Sequence, residues 1–352
     1  MKGKGWRWRT ILAAATLLLS AGCGENIHRR QSYVFGTLVE ITVHGEDEAK
    51  ARRVTDQVLR DFDRMHQTLH AWQPGALERV NDVLARARPG APARADLPAE
   101  LVPILRDAAR LSEQSGELFD PAIGNLVRLW GFHSDTFEPR LPDPKAIEGL
   151  VEARPRMNDL RIEDNALTGT NPAVRIDLGG YAKGYALDLA AAYLKSQGVK
   201  NALINIGGNI MALGDKNGTP WRVGIQHPRR AGALATLDLK DGEAIGTSGD
   251  YQRFFEVGGK RYCHLIDPRT GWPVDHTRAV TVIARGEHAG TLSDVASKPL
   301  FIAGPGAWRA MAGRMGINLV LVVAADGGIA VTRAMNDRLS WEKNLPAAEV
   351  SE

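Results

Sequence analysis

Residues 202–213 read ALINIGGNIMAL, two short apolar runs on either side of Gly207, Gly208 and Asn209. Paired apolar runs split by glycines are the pattern of two antiparallel strands joined by a tight turn. The same texture continues downstream, with short strand-like runs at 221–226, 254–257, 261–266, 280–284 and 319–324, and turn pairs at Gly258-Gly259 and Asp326-Gly327. Strands joined by hairpins, with a few helices between them, predict an α+β fold of mixed sheets with packed helices rather than a doubly wound parallel sheet. Upstream, 34–43 alternates through Phe35, Thr37, Val39, Ile41 and Val43, which predicts a strand. From Asp47 the period lengthens, and Val54, Val58, Phe62, Met65 and Leu69 mark an amphipathic helix. A second helix is expected over 99–112 through Leu101, Leu105, Ala108 and Leu111, with loops at 88–98 and 134–144. No break in composition divides the chain, so one intertwined domain is expected over 32–345, followed by a tail at 346–352.

The 352 residues are 44% hydrophobic and 24% charged, which excludes a disordered, collagen-like or disulfide-scaffold protein. The chain opens MKGKGWRWRTILAAATLLLSAGCG, with four basic residues, an apolar run from Ile11 to Leu19 and then small residues. The apolar run is too short to span a bilayer, so 1–22 reads as an export signal peptide. Ser20-Ala21-Gly22-Cys23 resembles a bacterial lipobox, with Ser20 where leucine is usual. On that reading Cys23 is lipid-modified, 23–31 is a tether and the protein is anchored to a bacterial membrane facing the periplasm. The other reading is a soluble secreted protein cut at a small-residue site. Removing 1–22 takes four basic residues and no acidic one, so 44 basic against 41 acidic become 40 against 41. The apparent basicity belongs to the signal and offers no support for binding nucleic acid. Cys263, the other cysteine, falls in an alternating run and is expected to be a buried strand residue.

Four clusters could carry chemistry. In DLGGYAKGYALDLAAAYL, 177–194, a carboxylate precedes two glycines, Lys183 and a helix whose expected apolar face is Ala186, Leu189, Ala190 and Tyr193. Glycines and a lysine at a helix start suit a phosphate, or they form a tight turn beside a solvated lysine. The Gly207-Gly208 pair is read first as a hairpin turn. In HLIDPRTGWP, 264–273, His264 and Asp267 meet at one strand end, with either a structural or a functional role. In SDVASKP, 293–299, Asp294 opens an expected helix and either caps it or binds a hard cation. There is no CxxC, HExxH or GxSxG, so zinc and nucleophile-elbow hydrolase chemistry lack support.

In order along the chain, FGTLVEI, ELFDPAIGNLVRLWGF, DLGGYAKGYALD, LINIGGNIMALG, GTSGDY, HLIDPRTG and SDVASKPLFIAG resemble the ApbE family, the FAD:protein FMN transferases. The resemblance runs from about Ser32 to Arg333 and implies the family's T-fold-related architecture. It implies a Mg²⁺-dependent reaction in which a threonine or serine hydroxyl of an acceptor protein attacks the FMN-side phosphorus of FAD. AMP leaves, and FMN stays attached through a phosphoester. Typical acceptors are subunits of membrane electron-transport complexes. The resemblance further implies Asp294 as side-chain metal ligand and Gly180 as backbone metal ligand, with Ser297 or Lys298 at the remaining metal position. It implies Phe35, Trp72, Phe119, Asp120, Pro121, Asp177, Lys183, His264 and Asp267 as contacts to FAD. His264 is the candidate for taking the acceptor proton, since an imidazole is neutral near pH 7.

Two departures stand out. Many family members carry threonine where this chain has Lys298, and an ammonium cannot ligate Mg²⁺. Either Ser297 supplies the oxygen, or Lys298 replaces part of the cation's charge, or the metal binds more weakly. Phe35 and Trp72 stand where methionine and tyrosine are frequent, which keeps apolar surface and removes a hydroxyl. The alternative functions are an FAD pyrophosphatase giving FMN and AMP, and a non-catalytic flavin-binding lipoprotein.

Overall fold

The computed structural model describes residues 26–88, 90–134, 136 and 138–351. The signal segment and Cys23 lie outside the described residues. Among these, nine strands form one sheet whose spatial order follows the chain: β1 (Ile27–Val34), β2 (Thr37–His44), β3 (Asn201–Ile206), β4 (Asn209–Leu213), β5 (Glu243–Gly249), β6 (Thr277–Arg285), β7 (Leu319–Ala324), β8 (Ile329–Thr332) and β9 (Ala348–Ser351). All neighbours are antiparallel except β8 and β9, which run parallel. The run 202–213 is the β3–β4 hairpin, with Gly207 and Gly208 at φ 58° and 93°, a backbone that side-chain-bearing residues rarely adopt.

The helices α1 (Glu48–Leu69), α2 (Leu101–Gln114), α3 (Ala182–Ser196) and α4 (Ala289–Ala303) contribute to the core on one face of this sheet. A small sheet of Trp221–Gln226, Ala233–Leu239 and Ser340–Trp341 contributes to the core on the other. The central strands therefore bury both faces: Val320 and Val322 of β7 point to the helices, while Leu319, Leu321 and Val323 point to the small sheet. Cys263 is buried at a strand end, as its alternation suggests. The mixed α+β class is the one expected.

Several boundaries differ from the sequence reading. The expected tether contains strand from Ile27 onward, paired with β2 from Ile27↔His44 to Val34↔Thr37. This edge strand is mostly exposed and carries polar residues, so it has almost no apolar alternation to read. The expected single strand over 34–43 is interrupted by a turn at Phe35-Gly36, both at positive φ. The tail at 346–352 supplies β9, again an exposed edge strand. The loop expected over 88–98 includes the strand Ala93–Asp96. In α3, Leu189 is exposed, and Ala186, Leu187, Ala190 and Leu194 form the buried face.

The tightest helix contact among the described residues is between α3 and α4, which meet through their first turns. A Cβ on Gly184 would lie 2.4 Å from the Gly290 carbonyl oxygen and 2.7 Å from the Asp294 Cβ; one on Gly290 would lie 2.5 Å from the Gly184 carbonyl oxygen. Each helix also caps the other. Asp188 of α3 accepts from the Gly290 and Thr291 amides at 2.7 and 2.8 Å, and Asp294 of α4 accepts from the Gly184 amide at 2.9 Å. These are first-turn amides that have no partner within their own helix. Gly184→Ala is expected to lower stability by about 2 kcal/mol through overpacking, although alanine favours helix. Gly149→Ala, on an exposed helix with open space around the glycine, is expected to raise it by about 0.5 kcal/mol. Thermal unfolding of the two variants beside the parent checks both signs.

Candidate active site

A cavity of about 370 Å³ opens where the β1–β2 turn, the C-terminal end of α1, the loop 118–123, the glycine turn before α3, the strand end 264–266 and α4 converge. Its wall includes Phe35, Trp72, Phe119, Asp120, Pro121, Asp177, Gly180, Lys183, His264 and Lys298, brought together from segments more than 250 residues apart in the chain. A second hollow of about 420 Å³ between α1, α2 and α3 is lined by residues such as Phe62, Met65, Leu189 and Tyr193 and includes none of the expected site residues.

The apolar side is set by the turn. Phe35, at φ 56°, lies 5.8 Å from Phe62 and 5.6 Å from His66 between ring centres. Across the cavity the Trp72 indole N–H donates to Asp177 Oδ2 at 2.9 Å, and the Arg175 guanidinium lies 4.6 Å over the Trp72 ring. The substitution removes a hydroxyl, as expected, and the indole N–H supplies a polar contact of its own. The other Asp177 oxygen accepts the Gly179 amide at 2.7 Å, which ties the carboxylate to the glycine turn. Lys183, at the start of α3, reaches the Gly179 carbonyl at 3.3 Å.

Asp120 shapes the floor. Its carboxylate accepts from the Ala122 amide at 2.9 Å, the Met157 amide at 3.1 Å and the Ser112 hydroxyl at 2.9 Å. Burial nevertheless raises its pKa to about 6. Asp267 does not reach the cavity wall, where only its neighbours Leu265 and Ile266 appear. Its carboxylate is turned into its own loop, accepting the Arg269 amide at 2.9 Å and pairing with the Arg269 guanidinium at 2.7 Å. A carboxylate two residues before an arginine in a turn is satisfied locally, and sequence order could not distinguish that from a ligand contact.

His264 sits at the wall with Nδ1 3.3 Å from the Arg253 carbonyl oxygen. Donation from Nδ1 to that carbonyl leaves the Nε2 lone pair free to accept a proton. Burial, with Arg253 and Lys183 beside it, pushes its pKa down to about 3, so the ring is neutral at pH 7. Arg253, which the sequence reading did not single out, also lines the cavity and donates to the Phe132 and Ser134 carbonyls at 3.0 Å. His66 and His133 are further wall residues that no motif marked. One histidine on a helix face or one arginine just before a strand is too ordinary a pattern to flag.

The expected metal position is built differently. Asp294 lies inside α4 rather than at its start, and its side chain is buried. Oδ2 accepts the Gly184 amide, and Oδ1 takes the Lys298 ammonium at 2.6 Å. Burial works against ionisation here, but the Lys183 and Lys298 charges outweigh it and hold the Asp294 carboxyl below its usual pKa. The Ser297 hydroxyl points away, 2.7 Å from Ser248 Oγ of β5 and 2.9 Å from the Asp294 carbonyl. Among the described residues no group of three or more His, Cys, Asp or Glu could hold a metal ion. Mg²⁺ asks for several hard oxygen donors, and here the one carboxylate is already occupied by an ammonium and an amide. These residues do not fit a divalent cation.

The family model for the ApbE family matches residues 35–321. This chain belongs to the ApbE family. It is 39% identical over 353 residues to a Rhodobacter capsulatus protein named FAD:protein FMN transferase, covering 98% of this chain and 66% of that protein. This member therefore spans about two thirds of the length of that relative. A Vibrio cholerae protein of the same name is 30% identical over 325 residues, covering 90% of this chain and 94% of its own. Among solved structures, the ApbE protein of Thermotoga maritima superposes with a TM-score of 0.79 at 29% identity, covering 89% of this chain and 99% of that one. The apo flavinyl transferase ApbE of Pseudomonas stutzeri gives 0.76 at 28% identity, covering 89% and 97%. The ApbE fold is thus shared from end to end of those chains.

The His264 environment makes a measurable statement. Its resonances should not titrate between pH 5 and 8 in an NMR pH series. An unfolded histidine takes up its proton near pH 6.5 and the folded one near 3, so this group's stabilising contribution is complete above about pH 6.5 and lost as pH falls toward 3. His264→Gln should flatten that part of the stability–pH curve.

Proposed function

We propose that this chain is an FAD:protein FMN transferase, moving the FMN half of FAD onto a serine or threonine hydroxyl of an acceptor protein. The observation that carries this reading is the meeting of Lys183, Lys298, Asp177 and His264 on one cavity wall beside aromatic surface, in a member of the ApbE family. The names its relatives carry support the same activity. The acceptor oxygen forms a bond to the FMN-side phosphorus, the bond from that phosphorus to the bridging oxygen breaks, and AMP departs with the bridging oxygen. The acceptor proton passes to His264 Nε2 and from there to the leaving phosphate or solvent.

Each wall residue has work in this scheme. Phe35, Trp72, Phe119 and Pro121 offer apolar faces to the rings of FAD, and Asp177 offers acceptor lone pairs to an amine or sugar hydroxyl. Lys183, at the amino end of α3, faces the phosphates where helix dipole and ammonium act together. The resemblance brings Mg²⁺ with it, but no step is assigned to that ion, because the donors around Asp294 do not fit it. The acceptor belongs to membrane electron-transport machinery facing the periplasm. The signal-like segment 1–22 and the lipobox-like Cys23 support export and lipid anchoring there.

Incubation of the purified protein with FAD and the exported redox subunits of its own cell should add one FMN mass to a Ser or Thr and release equimolar AMP. FMN and AMP without an adduct would make it an FAD pyrophosphatase, and FAD binding without AMP a non-catalytic flavin carrier. His264→Gln should slow transfer by about 100-fold while FAD affinity, followed by flavin fluorescence, changes little. Metabolic labelling with a fatty acid should mark the full-length chain and leave Cys23→Ser unlabelled.

A further inference from the structure

The geometry around Ser297 and Lys298 separates the three possibilities their sequence left open. Ser297 is 1% exposed, with its hydroxyl engaged by Ser248 and the Asp294 carbonyl, so it offers no oxygen to the cavity. Lys298 does line the cavity, and its ammonium lies 2.6 Å from Asp294 Oδ1 and 2.7 Å from the Asp294 carbonyl oxygen. An ammonium has three N–H donors, and these two contacts leave one over. A Cβ on Gly180 would lie 2.8 Å from Lys298 Cε and 3.1 Å from Cδ, so the lysine stem rests against the bare Gly180 backbone. Its head therefore stands between Asp294 and the glycine turn, the two groups that the family resemblance assigns to a metal.

From this placement we infer that Lys298 is itself the cation of this site, with its remaining N–H directed to the FAD pyrophosphate, and that phosphoryl transfer here proceeds without a bound divalent cation. The inference rests on the flavin-transfer reading for its substrate. Lys298 then neutralises charge that builds on the phosphate oxygens as the bridging bond breaks, and no proton leaves the ammonium. Asp294 is a positioning residue, holding Lys298 through Oδ1 while the Gly184 amide fixes Oδ2. Gly180 has the same effect from the other side by leaving room for the stem.

The test is a Mn²⁺ titration of the full-length protein saturated with FAD, read by electron paramagnetic resonance, together with AMP release in excess EDTA. The parent chain should show no saturable Mn²⁺ site, and its AMP release should be unchanged by EDTA. Lys298→Thr should gain a Mn²⁺ site and become chelator-sensitive. Lys298→Met, which keeps the stem and removes the charge, should lose about 100-fold in turnover while still binding FAD. A saturable Mn²⁺ site in the parent that Asp294→Asn abolishes, or turnover stopped by EDTA and restored by Mg²⁺, would overturn the inference and leave the transferase reading intact. Absence of AMP and adduct under every condition would overturn the transferase reading instead. The Mn²⁺ titration would then still decide whether the cavity takes a divalent cation.

Discussion

The reciprocal capping of α3 and α4 is the contact on which the site depends. Asp188 holds the first amides of α4, Asp294 holds an amide in the first turn of α3, and two glycines let the backbones meet between them. A first-turn amide left without a partner costs about 1 to 3 kcal/mol when buried, so neither carboxylate is free to move far. The consequence reaches the cavity directly. Lys183 lies one residue before the amide that Asp294 holds, and Lys298 lies one turn after Asp294. Locking the helices in this register sets both ammoniums on one wall.

The great antiparallel sheet supplies the remaining walls by a simpler rule. Because the spatial order of its strands follows the chain, long insertions between consecutive strands all emerge around the same body. The insertion between β2 and β3 carries α1, Trp72, the loop 118–123 and the glycine turn of α3. The insertion between β5 and β6 carries Arg253 and His264, and the one between β6 and β7 carries α4. No single insertion holds the site.

Much of this was legible in the chain. The hairpin at 202–213, the helix beginning after Asp47 and the strand at 319–324 have strong apolar periods because each is packed on a core. β1 and β9 were not legible, since edge strands with exposed polar residues carry little period. Many of the wall residues could be named in order through the family resemblance, though Arg253, His66 and His133 could not, and neither could the partners of those that were named. Trp72 holding Asp177, Asp267 held by Arg269 and Lys298 seated on Asp294 are contacts made by folding, between groups whose spacing along the chain carries no chemical signal or a local one with several readings. Asp294 shows this most clearly: its sequence context suggests a cap for its own helix, whereas folding makes it a cap for a different one.

The low basicity of His264 shapes how this chemistry divides among the residues. An imidazole with a pKa near 3 is reliably neutral but takes a proton weakly. In a loose phosphoryl-transfer transition state the bond to the nucleophile is only beginning to form, so the hydroxyl keeps its proton until late and a weak base suffices. What the reaction demands early is stabilisation of charge accumulating on the phosphate and leaving-group oxygens. In the proposed transfer that demand falls on Lys183 and Lys298, whose positions are set by the packed helices rather than by a loop. Burial and Arg253 do most to depress the His264 pKa, and Lys183 and Lys298 add to it, so a more cationic wall makes a weaker base. For a late proton transfer that exchange favours catalysis, because charge stabilisation acts throughout the climb to the transition state and basicity acts only near its end.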